Sequence, residues 1–226
     1  MFRDRVDAGR QLAVLVAALG PLEHPIVLGL PRGGVPVARE VARALGAPLD
    51  VLVVRKLGAP GNPEYAVGAI GAEGVRVVDE RALQAMGVSE ASLARIEHAE
   101  LDELGRRERR YRPGRPPLAL AGMTAVIVDD GVATGATASV ACRGARVLGA
   151  RRVVLAVPVA PAGWREAVRR AGESAGEAIA DDVVVVQEPR DFWAVGQWYR
   201  DFSQTSDEEV LAALRETPAP DEPDPA

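Results

Sequence analysis

The sequence predicts an α/β fold: a central, mostly parallel sheet flanked by helices. Three observations support it. Short apolar runs rich in β-branched residues recur along the chain, of the continuous kind that forms strands buried on both faces. Several are followed, after a turn, by a stretch with helical spacing, and repeated strand-turn-helix units build parallel sheets. Finally, 226 residues that are 48% hydrophobic and 26% charged suffice for one domain, or one with a small appendage, and a core of its own.

In chain order, Arg3 to Leu19 places Val6, Leu12, Leu15, Val16 and Leu19 at helical spacing, and Pro21 to Pro25 break that helix. Ile26 to Leu30 reads as a strand, Pro31-Arg32-Gly33-Gly34 as a turn, and Val35 to Leu45 as a helix ended by Gly46 to Pro48. Leu49 to Val54 is the next strand, finishing in Arg55-Lys56. The following LGAPGNPEYAVGAIGAEG, rich in Gly and Pro, reads first as a long loop, a lid or a linker, with an exposed hairpin as the alternative. Tyr65 to Ile70 and Val75 to Val78 read as strands around Gly71 to Gly74. A short helix covers Glu80 to Gly87. Ser89 then caps a long helix with Leu93, Ile96, Leu101 and Leu104 on one stripe, ending at Pro113 to Pro117. Beyond the central motif described next, Arg152 to Pro158 is a strand, Trp164 to Arg170 a helix, Asp182 to Gln187 a strand and Asp207 to Arg215 a helix. The acidic, proline-rich TPAPDEPDPA reads as a disordered tail.

The motif that carries chemistry is TAVIVDDGVATGAT, Thr124 to Thr137. A buried strand, Ala125 to Val128, ends in two carboxylates, Asp129 and Asp130. Small residues and hydroxyls lead from there into the helix Ala138 to Leu148. Ligands of open parallel sheets bind at the carboxyl ends of strands. The loop can turn backbone N–H groups toward an anion, the helix N-terminus adds positive potential, and Thr134 and Thr137 can donate hydroxyls. Two acids beside such a cradle suit a phosphorylated ribose. A structural turn in which Asp130 only caps is the plainer reading. The stretch lacks the lysine of GxxxxGK[ST] and the spacing of GxGxxG. Pro31-Arg32-Gly33-Gly34 is a second candidate turn: its glycines let backbone approach a ligand, and Arg32 offers a forked donor to phosphate oxygens.

On these residues the chain closely resembles the type I phosphoribosyltransferases, whose signature is an apolar strand, two acids and a TG-containing loop. The resemblance covers about Ile26 to Pro158 and implies a Rossmann-like core at 1–180 with a helical insertion at about 79–117. A small C-terminal hood at 181–216 and a disordered acidic tail at 217–226 complete that expectation. It implies transfer of ribose 5-phosphate from phosphoribosyl pyrophosphate to a nitrogen nucleophile, with release of pyrophosphate. Asp129 and Asp130 then hold the ribose hydroxyls, and Gly131, Val132, Ala133, Thr134, Gly135, Ala136 and Thr137 hold the 5-phosphate. Arg32, Gly33 and Gly34 take the pyrophosphate. A loop carrying Arg55, Lys56, Asn62, Glu64 and Tyr65 closes over the reaction centre, with Arg55 and Lys56 as candidate catalytic cations. Magnesium accompanies the diphosphate and ribose, with Asp129 and Asp130 as candidate ligands. Phe192 or Trp193, with Val195 and Asp201, is similar to the base-binding hood of purine enzymes, although the spacing to Asp201 differs from theirs.

The remaining features bound the function. A net charge of −5 argues against nucleic-acid binding by bulk charge. Lys56 is the one lysine among arginines, which either marks a special role or is chance. The run Arg106, Arg107, Arg109, Arg110, Arg112, Arg115 can grip a phosphate-rich partner or simply solvate a helix end beside Glu103 and Glu108. Single Cys142 excludes an internal disulfide, and His98 reads as a surface residue. The N-terminus reads as an amphipathic helix and not a signal peptide, so a cytoplasmic location is expected. A homodimer is compatible with the resemblance. The rival readings are a regulator that binds phosphoribosyl pyrophosphate without turning it over and contacts nucleic acid or a protein partner, and a hydrolase or a salvage enzyme with a non-nucleobase acceptor.

Overall fold

The computed structural model describes residues 1–71, 74–175 and 178–217 of the chain. Five strands form the central sheet: β1 (Pro25–Gly29), β2 (Leu49–Val51), β6 (Thr124–Val128), β7 (Arg152–Val159) and β8 (Asp182–Gln187). Their order is β2-β1-β6-β7-β8, and every pairing is parallel. Alternate residues of these strands enter two different cores. Val27, Val126, Val128, Val154 and Ala156 pack with residues of α1 (Arg5–Ala17), α2 (Gly34–Leu45) and α7 (Asp207–Arg215). Ile26, Leu28, Ala125, Ile127 and Leu155 face Ala138, Ala141, Cys142 and Ala145 of α5 (Ala136–Val147) and Trp164 and Val168 of α6 (Trp164–Ala175). Both sheet faces are covered, which is why these strands read as continuous apolar runs.

A second sheet departs from expectation. The run Leu49 to Val54 splits: β2 stops at Val51, Leu52 donates its N–H to Gly29 O, and β3 (Val54–Ala59) begins a separate antiparallel sheet. β3 pairs with β4 (Asn62–Gly71), which pairs with β5 (Arg76–Val78). The glycine-rich segment after Lys56 is therefore a β-hairpin and not a long loop. Its turn uses Gly61 at φ +78°, a conformation glycine adopts without steric cost. Register shifts at Leu57/Gly58 and Gly58/Ala59 break the period-two alternation by which a strand is recognised. Residues 72 and 73 of the expected β4–β5 turn lie outside the described residues.

The helices α3 (Glu80–Ala85) and α4 (Glu90–Tyr111) follow, capped by Asp79 and Ser89. The C-terminal segment read as a hood from residue 181 opens with β8, the fifth strand of the central sheet. Val210, Ala213 and Leu214 of α7 are buried in the same core as α1 and α2, so both elements are part of the main fold. Ser206 and Glu209 form a capping box at the start of α7. Thr217, expected in the tail, is buried and donates its hydroxyl to Ala213 O at 3.1 Å; residues 218–226 of that tail lie outside the described residues.

Part of the arginine run is structural. Asp50 on β2 is fully buried and lies between Arg112 Nε at 3.2 Å and an Arg115 Nη at 3.2 Å, while accepting from Val51 N at 2.7 Å. Arg115 also donates to Leu49 O and Leu214 O, so it joins β2 to α7. Deleting one member of a buried ion network leaves the others uncompensated. Asp50→Ala is expected to cost about 3 kcal/mol, measurable by urea denaturation; a loss within experimental error would show that the two arginines find water.

Candidate functional site

Parallel pairing of β1 with β6 in the register Gly29↔Val128 ends both strands at one level, so the turns after them lie side by side. Leu30 donates its N–H to Val128 O at 2.9 Å, and Gly34 donates to Leu30 O at 3.0 Å. The Pro31–Arg32 peptide is cis. A Cβ on Gly34 would stand 2.6 Å from Val128 O and 2.9 Å from Asp129 Cα, and one on Gly33 would fall on the Asp130 carboxylate. Side chains at either position would push the two turns apart. The expected pyrophosphate turn and the two acids are thus in direct contact.

Asp129 and Asp130 are half-buried where β6 ends, and Asp130 N donates to Asp129 Oδ1 at 2.9 Å. Asp130 Oδ2 receives two donors from Arg5, Nε and an Nη, each at 2.8 Å. Arg5 also donates to Ser203 O at 2.7 Å, and its guanidinium lies 4.0 Å over the Phe202 ring. The Tyr199 hydroxyl donates to Asp130 O at 2.5 Å. Tyr199 is in turn packed between Phe2 and Phe202, with ring centroids 5.3 and 5.0 Å away. Backbone bonds from Phe2 N to Trp198 O and from Arg200 N to Phe2 O bind the chain start to this segment. Sequence reasoning missed this layer. Arg5 lies 125 residues from Asp130, and one arginine among many carries no local mark.

Burial holds the Asp129 carboxyl well above the usual carboxylate range, and the charge of Asp130 pushes it the same way. Burial raises Asp130 too, against the pull of the Arg5 guanidinium. Burial and the Asp130 charge push the Tyr199 phenol upward, so it stays a protonated donor.

The expected phosphate loop has a fixed inner edge and an open rim. Val132 is buried and donates to Val159 O at 3.0 Å; Ala133, Thr134 and Thr137 are exposed. A Cβ on Gly131 would meet Val195 Cγ1 at 2.5 Å, and one on Gly135 would meet the Trp164 indole at 2.8 Å. Gly135 sits at φ +78° as the N-cap of α5, with no side-chain capping bond there; Ala136 N reaches Thr134 Oγ1 at 3.4 Å. An uncapped helix start flanked by two exposed hydroxyls is suited to an anion. Asp129 and Asp130 immediately before it can accept from hydroxyls of the same ligand.

The other expected residues are spread more widely. Arg55 and Lys56 are on β3, opposite Ile70 and Ala69, so they face opposite sides of the small sheet. Arg55 Nε lies 2.6 Å from Glu100 Oε2 on α4 and is thereby committed to packing the helix on the sheet. Asn62 opens β4, and Tyr65 is exposed; the Glu64 side chain lies outside the described residues. Phe192 packs into the small cluster of Phe2, Val159 and Tyr199, whereas Trp193 is 88% exposed. Val195 backs Gly131. Asp201 accepts from Ser203 N at 2.9 Å, a bond that holds its carboxyl below the usual range. Among the described residues no group of three or more His, Cys, Asp or Glu could hold a metal ion, and no helix is long and apolar enough to cross a membrane.

Comparison with known proteins is consistent with this geometry. The model of the phosphoribosyl transferase domain matches residues 5–202. Two curated relatives, from Mycobacterium tuberculosis strains H37Rv and CDC 1551, are each 54% identical over 214 residues. Both carry provisional names as phosphoribosyl transferases. The match covers 95% of this chain but 46% of each relative, so the chain spans about half their length. The crystal structure of TT1426 from Thermus thermophilus is 50% identical, with a TM-score of 0.80, covering 95% of this chain and 98% of that one.

The acid pair makes a signed prediction. The native fold holds the Asp129 proton more tightly than the unfolded chain does. Ionising it above its raised value therefore destabilises the fold, and the penalty vanishes as pH falls to the unfolded value near 3.9. Without ligand, Asp129→Asn is expected to exceed the wild type in stability by about 1 kcal/mol at pH 8, and the gap should close toward pH 4. Thermal melts that coincide at pH 8 would refute a penalised carboxylate.

Proposed function

The chain belongs to the phosphoribosyl transferase domain family, and on that premise we propose that it is a pentosyltransferase acting on magnesium-phosphoribosyl pyrophosphate. It transfers ribose 5-phosphate to a nitrogen nucleophile, a nucleobase or related acceptor, and releases pyrophosphate. The observation that carries this reading is the direct contact of the Gly33-Gly34 turn with Asp129 and Asp130, beside the open rim Ala133 to Thr137. One ligand with a diphosphate, vicinal hydroxyls and a terminal phosphate spans those three features.

Breaking the bond between ribose C1 and the diphosphate oxygen leaves positive charge on the ring and negative charge on the departing group. The protein's part is placement and electrostatics. Asp129 and Asp130 accept from the ribose hydroxyls and lie close to the electron-poor ring. Arg5 and Tyr199 keep Asp130 fixed, so the second acid is positioned before substrate arrives. Gly131 to Thr137 hold the 5-phosphate, with hydroxyls from Thr134 and Thr137. Arg32, with the backbone of Gly33 and Gly34, takes the diphosphate. Lys56, on β3 opposite Ala69, is the loop cation. The β3–β4 hairpin with Asn62, Glu64 and Tyr65 supplies the cover that excludes water. Asp129 or Asp130 would hold magnesium together with the substrate, and the ion would neutralise diphosphate charge, as befits an ion that seldom takes an all-protein cage. Trp193 presents the exposed aromatic face on which a flat acceptor stacks, flanked by Phe192, Val195 and Asp201.

Two assays test the reading. Pyrophosphate release from magnesium-phosphoribosyl pyrophosphate, run against nucleobases and small amines, is expected to depend on one acceptor class. Release without any acceptor would instead indicate a hydrolase, and binding without release a regulator. Lys56→Ala is expected to lower turnover by at least about tenfold with little change in substrate affinity, the pattern of a group acting on the transition state. The double change Asp129→Ala/Asp130→Ala should abolish thermal stabilisation by the substrate; undiminished stabilisation would remove the acids from the ribose site.

A further inference from the structure

Arg32 and residues of helix α4 together line a cavity of about 300 Å³. From α4 come Arg106, Arg107, Arg110 and Tyr111. Positions 106, 107 and 110 share one side of a helix over roughly one turn, about 5–6 Å of rise. Two acids also line the space. Glu103 pairs with Arg106 and, at 2.7 Å, with Arg107; Asp207 at the start of α7 lies 2.8 Å from Arg110 and accepts from the Tyr111 hydroxyl. Glu208 adds a looser contact to Arg110 at the rim, 3.8 Å away. Four guanidiniums against the two lining carboxylates leave a formal charge of +2 in the cavity. Arg32 has no ion-pair partner among the described residues.

We propose that α4 completes a diphosphate pocket, with Arg106, Arg107 and Arg110 binding the same anion as Arg32. The deduction rests on the reading of Arg32 as a pyrophosphate ligand, and it assigns the α4 arginines to the same group. The arginines are set along a helical turn, and the cavity is larger than one phosphate needs, which suits two linked phosphoryl groups. Forked guanidinium donors match phosphate oxygens two at a time. Each existing pair with Glu103 or Asp207 uses part of a five-donor group, so the acids fix the arginines in place and leave donors for a ligand. The neighbouring Gly33 touches Asp130, so the pocket adjoins the ribose site and takes the end of the substrate that leaves.

Inorganic pyrophosphate titrated calorimetrically into the full chain is the direct test, with ribose 5-phosphate as the counter-probe. The variant is Arg106→Gln/Arg110→Gln, whose side chains are 73% and 53% exposed, so the core is left intact. Pyrophosphate affinity is expected to fall by roughly tenfold or more, as for loss of charge-assisted bonds, and to weaken with salt in the wild type. Thermal stabilisation by ribose 5-phosphate, which lacks the diphosphate, should be unchanged. Equal pyrophosphate affinity in wild type and variant, or no binding to the wild type, would overturn the pocket. Should the transferase reading fail instead, turnover would be absent while the arginine-dependent pyrophosphate binding remained.

Discussion

The constraint on which the site depends is the absence of two Cβ atoms. β1 and β6 are hydrogen-bonded neighbours, and their shared end level aims both following turns at the same space. Only glycine at 33 and 34 lets those turns touch, because side chains would strike Val128 O, Asp129 Cα and the Asp130 carboxylate. That contact sets the Arg32-Gly33-Gly34 turn directly beside an acid pair.

Bringing two acids together at a strand end has a cost, and the structure shows how it is limited. Asp129 carries the larger burden, through burial and through its neighbour's charge, while Asp130 is partly relieved by Arg5. Arg5 in turn is held by Ser203 O and by the Phe202 ring. The first helix and the segment 198–203 thus form a brace built from opposite ends of the described chain.

What was legible in the sequence follows from the range of the forces involved. Doubly covered strands write themselves as apolar runs, and β8 is legible with its observed bounds for that reason. The DD-loop-TG stretch was legible because strand, acids, loop and helix are contiguous. The hairpin after Lys56 was obscured because glycine and alanine replace β-branched residues and bulges break its alternation. The C-terminal segment read as an appendage because pairing of β8 with β7 is non-local. Arg5, Tyr199 and Phe202 were invisible for the same reason: their meaning is made only by contacts across the fold. Arg55 and Arg32 looked alike as basic residues after strands, yet Glu100, 45 residues beyond Arg55, gives one of them a structural partner.

The arginine run shows how one stretch divides its labour by geometry. Tyr111 is the last residue of α4 and is buried, which makes it a pivot. Before it, Arg106, Arg107 and Arg110 stand on the cavity side of the helix. After it, the chain turns out of the helix and delivers Arg112 and Arg115 to the buried Asp50 on β2. The helix is further pinned to the small sheet by Arg55–Glu100 and Arg76–Glu97. Those anchors hold α4 at both ends of its contact with the fold, so the cavity arginines are carried on a rigid element and not on a loop. Of the six arginines in the run, Arg106, Arg107 and Arg110 line the cavity, Arg112 and Arg115 fasten the chain to Asp50, and Arg109 is exposed.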